Sequence, residues 1–332
     1  MKKTLIAICI AATPLASQAA TVYQNDETSV GIGGEFDVYL NQNNHSSNPN
    51  ADFDVDVWAK IQADINHKIN KDVSVFASAE FESGTYYGSS NDHDLSNSDQ
   101  TVRTDDVYVG ATFFDSLGVA FGEIGDFGDS LDAITIDNTN EGYGYMDDFN
   151  QSIESKGHAA SIKYSQNNLE LIADTYLSDD PMLDTAYGVS ATYLLESNVG
   201  DFGIGLSYQD RGNRVEWDRA SVGDNSTMGM MASYQVSGFN IAMNYAQEEV
   251  DGVDRDAMGV ATSYTYQKAR AYFTYGQAEE DFNNNDLSYY TVGAEYYLSN
   301  DILTFIEYSE VENRDFTLSD EDMMMLGMYY TF

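Results

Sequence analysis

The sequence predicts an all-β protein, a transmembrane up-and-down antiparallel β-barrel of sixteen strands. Three observations carry that expectation. From Thr28 onward, apolar and polar residues alternate with period two. The connections between the alternating segments are short and long in turn. The composition favours strands, with 25 Tyr and 16 Phe but 3 Pro, and no later run is long and apolar enough for a spanning helix.

In chain order, residues 1–19 read as a secretory signal peptide. Lys2 and Lys3 form a basic start, Leu5 to Ala12 an apolar core, Pro14 ends it, and Ser17 and Ala19 are the small residues a signal peptidase reads. The core is too short to cross ~30 Å of hydrocarbon. Cleavage after Ala19 is therefore expected, leaving 20–332 as one outer-membrane barrel domain. It removes Cys9, the only cysteine, so no disulfide holds the mature chain together.

Phe53–Ile65 shows the alternation most clearly. Phe53, Val55, Val57, Ala59, Ile61, Ala63 and Ile65 take every second place, and Asp54, Asp56, Lys60, Gln62 and Asp64 stand between them. A strand puts the two sets on opposite faces, whereas a helix would scatter them. Sixteen such segments follow one another, centred on Val30–Leu40, Phe53–Ile65, Val73–Phe81, Thr104–Phe113, Val119–Glu123, His158–Tyr164, Leu169–Tyr176, Ala186–Tyr193, Phe202–Tyr208, Met228–Tyr234, Phe239–Tyr245, Met258–Tyr264, Ala269–Tyr275, Tyr289–Leu298, Ile302–Tyr308 and Met323–Phe332. Their short connections, such as Ser165–Asn168 and Gln235–Gly238, belong to the periplasmic end. The long ones, Gly84–Arg103, Ile124–Lys156, Gln209–Thr227, Gln247–Asp256, Gly276–Asp286 and Ser309–Asp320, belong outside.

Closure follows from the solvent. In lipid every backbone N–H and C=O must pair within the protein, so a spanning sheet has no free edge. Tyr164, Tyr193, Tyr208, Tyr234, Tyr245, Tyr264, Tyr275, Tyr296 and Tyr308 fall near strand ends on the apolar register, where girdles of rings with one wet end belong. The other face carries Glu35, Asp37, Asp54, Asp56, Lys60, Gln62, Asp64, Lys163, Glu170, Asp174, Arg270 and Glu307. Charges packed inside a sandwich would be costly, but a barrel of about sixteen strands encloses water.

Charge narrows the function. Fifteen Lys+Arg against 55 Asp+Glu give a net charge of −40, which argues against nucleic acid as a partner. The aromatic content argues against acidic disorder. Asp52-Phe53-Asp54-Val55-Asp56 lacks the Gly and Glu a calcium loop requires, since Val57 and Ala63 stand there. His45, His67, His93 and His158 have no second ligand at metal-site spacing. Neither G-x-S-x-G nor H-E-x-x-H occurs, and Gly31-Ile32-Gly33-Gly34 is an incomplete dinucleotide fingerprint. No catalytic residue, metal or cofactor is expected.

The longest connection, Ile124–Lys156, has no strand pattern. Glu123, Asp126, Asp129, Asp132, Asp137, Glu141, Asp147 and Asp148 occur along 123–148 without one Lys or Arg. Phe127, Leu131 and Ile134 would pin such a loop against a wall. Two readings stand: a loop folded into the lumen, or a solvated outside loop.

At this point the chain resembles the Gram-negative general porins. Ala20-Thr21-Val22-Tyr23-Gln24-Asn25 leading into Val30-Gly31-Ile32-Gly33-Gly34-Glu35-Phe36-Asp37 is similar to the family's opening. Met324-Met325-Leu326-Gly327-Met328-Tyr329-Tyr330-Thr331-Phe332 is similar to its last strand. The resemblance implies a homotrimer of sixteen-stranded barrels in the outer membrane, among lipids and lipopolysaccharide, passing small hydrophilic solutes and cations. It implies that the long loop folds into the lumen as an acidic constriction, with Glu123, Asp126, Asp129, Asp132, Asp137 and Glu141 as its carboxylates. It also implies that Tyr330 and Phe332 are read by the barrel-assembly machinery. The sequence departs from the family in its basic residues: Gly122 is followed by Glu123 where many relatives soon carry a basic residue, and against the family's arginine cluster on the wall only Lys60, Lys163 and Arg270 take inward positions, with Arg103 near a strand start. The function expected is passive diffusion with cation preference. A surface adhesin on a barrel, or a barrel enzyme, is the alternative.

Overall fold

The computed structural model describes residues 20–45, 51–84, 102–136, 138–143, 158–178, 180–215, 219–250, 252–280, 285–313 and 321–332. The strands are β1 (Ala20–Gln24), β2 (Thr28–His45), β3 (Asp54–Lys68), β4 (Val73–Gly84), β5 (Arg103–Phe113), β6 (Leu117–Gly122), β7 (Ala159–Gln166), β8 (Leu169–Tyr176), β9 (Ala186–Leu195), β10 (Asp201–Val215), β11 (Arg219–Val236), β12 (Phe239–Val250), β13 (Val253–Tyr266), β14 (Ala269–Glu280), β15 (Asn285–Tyr297), β16 (Ile302–Asn313) and β17 (Glu321–Thr331).

From β2 to β17 each strand pairs antiparallel with the next, and β17 pairs back onto β2, from Glu321 opposite His45 to Thr331 opposite Glu35. The barrel is closed. β1 adds no place to the circle: it pairs with Ser29–Ile32, the stretch of β2 that β17 leaves uncovered. Phe332 and Gly34 exchange backbone hydrogen bonds of 3.0 Å in both directions at the junction. The circumference is thus sixteen strands, with one place shared by the two chain ends. Among the described residues no helix is long and apolar enough to cross a membrane; the strands cross.

The alternation sorts as the sequence predicts. Val55, Val57, Ile61 and Ile65 are exposed on the outside, and the side chains between them point inward. Such an apolar surface would be a liability in water and is what hydrocarbon requires. Tyr193, Tyr208, Tyr245, Tyr264, Tyr275 and Tyr296 lie exposed on the same face. At its outer rim the Tyr187, Tyr245 and Tyr290 hydroxyls donate to Asp210, Asp256 and Glu310 at 3.0, 2.5 and 2.5 Å, the wet end of a girdle.

Strand length is corrected at the outer end. β10 and β11 run through most of the expected Gln209–Thr227 loop, and β12 and β13 reduce Gln247–Asp256 to a tight hairpin. Beyond the lipid both faces of a strand are wet, so the backbone ladder continues where the apolar alternation has faded.

Candidate functional site

The lumen is organised by the chain that follows β6. Gly125–Gly128 forms one helical turn and Ser130–Ile134 a 3₁₀ turn. Asp129 caps the latter, accepting the Leu131 N–H at 2.7 Å. The segment lies against the inside of β8–β12, and the reason is side-chain size. Gly188 and Gly205 face inward there, and a Cβ on Gly205 would stand 1.7 Å from the Ala133 carbonyl oxygen. Ala242, Ala246, Ala257 and Ala261 complete a shallow track that buries Leu131, Ile134 and Ile136.

Hydrogen bonds fix the path. Asp174 of β8 accepts the Ser130 N–H at 2.6 Å, and Asn244 of β12 donates to the Ile134 carbonyl at 2.7 Å. Asn138 donates to the Thr262 carbonyl at 3.1 Å and accepts from Thr274. Glu307 of β16 then accepts three successive backbone N–H groups, from Asn140, Glu141 and Gly142, at 2.6, 2.9 and 2.7 Å, and the Tyr272 hydroxyl at 2.6 Å. Glu307 thus takes four hydrogen bonds, more than any other described wall residue that holds the loop. The described chain thus travels from β6 along the interior of more than half the barrel.

The expected constriction acids divide. Asp132 is exposed while Ser130, Leu131, Ala133 and Ile134 around it are buried, so it faces the passage. Asp129 instead turns to the wall, where the Tyr176 hydroxyl donates to it at 2.8 Å. Burial pushes its carboxyl above the usual range near 4, although the Leu131 and Tyr176 hydrogen bonds pull it down. Glu141 also turns to the wall, accepting the Tyr39 and Tyr329 hydroxyls at 2.6 Å each. These two acids are anchors, a correction to their expected place in an open lining. Glu123 is half-buried at the end of β6, its N–H on the Val107 carbonyl. Asp137 and the side chains of Asp126 and Arg103 lie outside the described residues.

Among the described residues the basic candidates do not form a cluster. Lys60 of β3 lies 3.3 Å from Glu80 of β4. Arg270 of β14 makes two bonds of 2.8 Å to Glu295 of β15 and covers the Tyr272 ring. Lys163 of β7 sits 5.0 Å above the Phe127 ring. The β2–β4 wall, which the described loop touches only at its margins, carries large polar groups. Gln62 and Ser78 donate to Asp64 at 3.3 and 2.8 Å, Trp58 donates to Glu82 at 3.0 Å, and Glu35 and Asp37 stand beside them. Tyr330 is exposed to the outside and Phe332 stacks on Phe36 at 5.8 Å. Asp174 and Glu307 have functional weight that sequence reasoning missed. Both appear in the inward register, but nothing local says that a loop distant in sequence ends on them.

The arrangement is a walled passage with fixed charges. Among the described residues no group of His, Cys, Asp and Glu is placed to hold a metal ion. The model of the Gram-negative porin family matches residues 4–315. The chain is 23% identical to the porin-like protein L of Photobacterium profundum and 24% identical to the putative outer membrane porin protein NmpC of Escherichia coli, in each case over the full length of both chains. In structure it is similar to in-vitro folded OmpT of Vibrio cholerae in its trimer form, with a TM-score of 0.69 and 14% identity, covering 92% of this chain and all of that one.

Proposed function

This chain belongs to the Gram-negative porins, channels of the outer membrane for passive diffusion, and from that premise we propose that it forms a homotrimer of cation-preferring pores for small hydrophilic solutes. The observation that carries the preference is the charge of the inner surface. Lys60 and Arg270 are each held against a carboxylate, while Asp64, Glu82 and Asp132, which faces the passage, add negative charge. A narrow passage with low-dielectric walls of one sign concentrates counter-ions. The trimer form of the similar Vibrio cholerae protein supports the assembly state. Cleavage after Ala19, which leaves β1 to begin at Ala20, and recognition of Tyr330 and Phe332 by the barrel-assembly machinery belong to the same proposal.

The test is the reversal potential of the reconstituted trimer across a KCl gradient. At 0.15 M salt the screening length is ~8 Å, so K⁺ is favoured clearly but partially, and near 1 M, where it is ~3 Å, the preference fades. Asp132→Asn lowers it more than Asp129→Asn. A channel preferring Cl⁻ overturns the selectivity and leaves the pore; absence of open steps overturns the pore itself.

A further inference from the structure

Near the short-turn end of the lumen the single helical turn, β7 and the β2–β5 wall line an open recess of about 480 Å³, within the ~300–1,000 Å³ typical of small-molecule sites. From its lining we propose that it is a transient binding site for zwitterionic amino acids with an aromatic side chain, taken up as they pass the pore. The inference rests on the channel reading above.

Three features converge. The first is Lys163, which lines the pocket and, unlike Lys60 and Arg270, has no carboxylate within ion-pair distance among the described residues; its ammonium rests on the Phe127 ring. An ammonium on a ring remains available to an anion, because the π-face satisfies little of its hydrogen-bonding capacity. The second is Asp64, on the facing strand β3, oriented by the Ser78 hydroxyl and the Gln62 amide. Those two donors leave acceptor sites on a carboxylate that has about four. The third is an aromatic cluster between them: Phe76 stacks on Phe127 at 5.5 Å, and Tyr108 stands 6.1 and 6.3 Å from the two rings. All three rings are half-buried and line the pocket, so each keeps some accessible apolar surface there.

The chemistry these features recognise has one anionic group, one cationic group and a flat apolar body. Lys163 takes the carboxylate, Asp64 the ammonium, and the rings take an aromatic side chain in the offset or edge-on contacts such pairs prefer. A simple cation finds Lys163 repulsive, and a simple carboxylate finds Asp64 repulsive. The zwitterion meets both demands, and in an otherwise acidic channel it does so without net charge. Such a site serves transport when it is weak, since a solute must enter readily and leave again.

The experiment measures the current through the reconstituted wild-type trimer at fixed KCl while L-phenylalanine, glycine, 3-phenylpropanoate or phenethylamine is added to the side of the short turns. L-phenylalanine is expected to produce concentration-dependent current interruptions at lower concentration than the other three. Lys163→Met and Asp64→Asn should each raise its half-blocking concentration by about tenfold, the loss of one charge-assisted contact. Asp64→Asn should also improve block by 3-phenylpropanoate, a gain that misfolding cannot imitate, and heat-sensitive trimers on unboiled gels verify folding of both variants. Glycine blocking as well as phenylalanine removes the aromatic element, and 3-phenylpropanoate blocking wild type more strongly removes the role of Asp64; either overturns the proposal. So does phenylalanine block unchanged in both variants, or no block in channels that conduct normally. Absence of conductance in wild type refutes the channel reading instead.

Discussion

The inside of β8–β16 and the inside of β2–β4 are built on the same alternation, yet one wall carries a loop and the other carries charge. On the first, Gly188, Gly205, Ala242, Ala246, Ala257 and Ala261 leave depth for a second layer of chain, and Asp174 and Glu307 receive its backbone N–H groups. On the second, Glu35, Asp37, Trp58, Lys60, Glu80 and Glu82 fill the same inward places, Lys60 held by Glu80 and Trp58 by Glu82. Polarity alone does not separate the walls, since both hold carboxylates. Residue size and the identity of the donors do. A carboxylate facing backbone N–H groups becomes a clamp, and a carboxylate facing side chains and the passage becomes part of the field an ion feels.

The sharpest way to break this contrast is to fill the track. Gly205→Leu places side-chain atoms where the Ala133 carbonyl already stands, and overpacking of this kind costs about 1–3 kcal/mol or more. We expect the loop to leave its seat, with larger open steps and faster proteolysis within 123–143. Gln62→Leu on the other wall adds a similar side chain without meeting a loop and should leave both readings near wild type. Equal effects at the two positions would erase the distinction between the walls.

Much of this was legible beforehand. The alternation gave both faces, because in a spanning strand lipid and water impose it at every residue. The turn lengths gave the up-and-down order of the strands, and the loop's lack of pattern marked it as different. The seats of the loop were not legible. Glu307 looks in sequence like any inward acid of β16, and its role exists only because Asn140–Gly142, far away in the chain, arrive there. The same holds for Asp129 and Glu141, which composition groups with Asp132 and which geometry turns to the wall. β1 escaped notice because five residues completing another strand's place leave no period to read. The outer extensions of β10–β13 escaped because strands wet on both sides carry no alternation.

Acidity should move the two walls in opposite directions. Burial raises the Asp129 carboxyl above the ordinary range near 4. Between those two values the seated Asp129 keeps a proton that it loses when the loop is released. The seat is therefore strongest below that window, and this contribution is lost as pH rises through it. Amide exchange of 129–136, taken relative to the intrinsic base-catalysed rate at each pH, should slow as the pH is lowered from neutrality toward 4, and Asp129→Asn should flatten that dependence. Cation preference should meanwhile fall, since acid neutralises carboxylates that face the passage. Exchange that quickens on acidification, with selectivity unchanged, would reverse the assignment of roles.

The smallest effect expected is at Lys60, and it tests whether the barer wall acts by its summed charge. Lys60 lies 3.3 Å from Glu80 with about a third of its side chain exposed, and its ammonium stands 5.5 Å from the Trp58 ring. Together with Glu80 it contributes little net field beyond a screening length of ~8 Å. Lys60→Gln removes the positive member and leaves the Glu80 carboxylate, so the preference for K⁺ should increase slightly. Glu80→Gln should lower it by a similar amount, and the double substitution should return it close to wild type, since the two charges cancel. Lys60→Arg keeps the charge and should change nothing. Both differences should vanish near 1 M salt, where screening acts within ~3 Å. A fall in K⁺ preference in Lys60→Gln would mean that Lys60 acts by holding the wall in shape, and the barer wall would then be a second scaffold instead of a source of field.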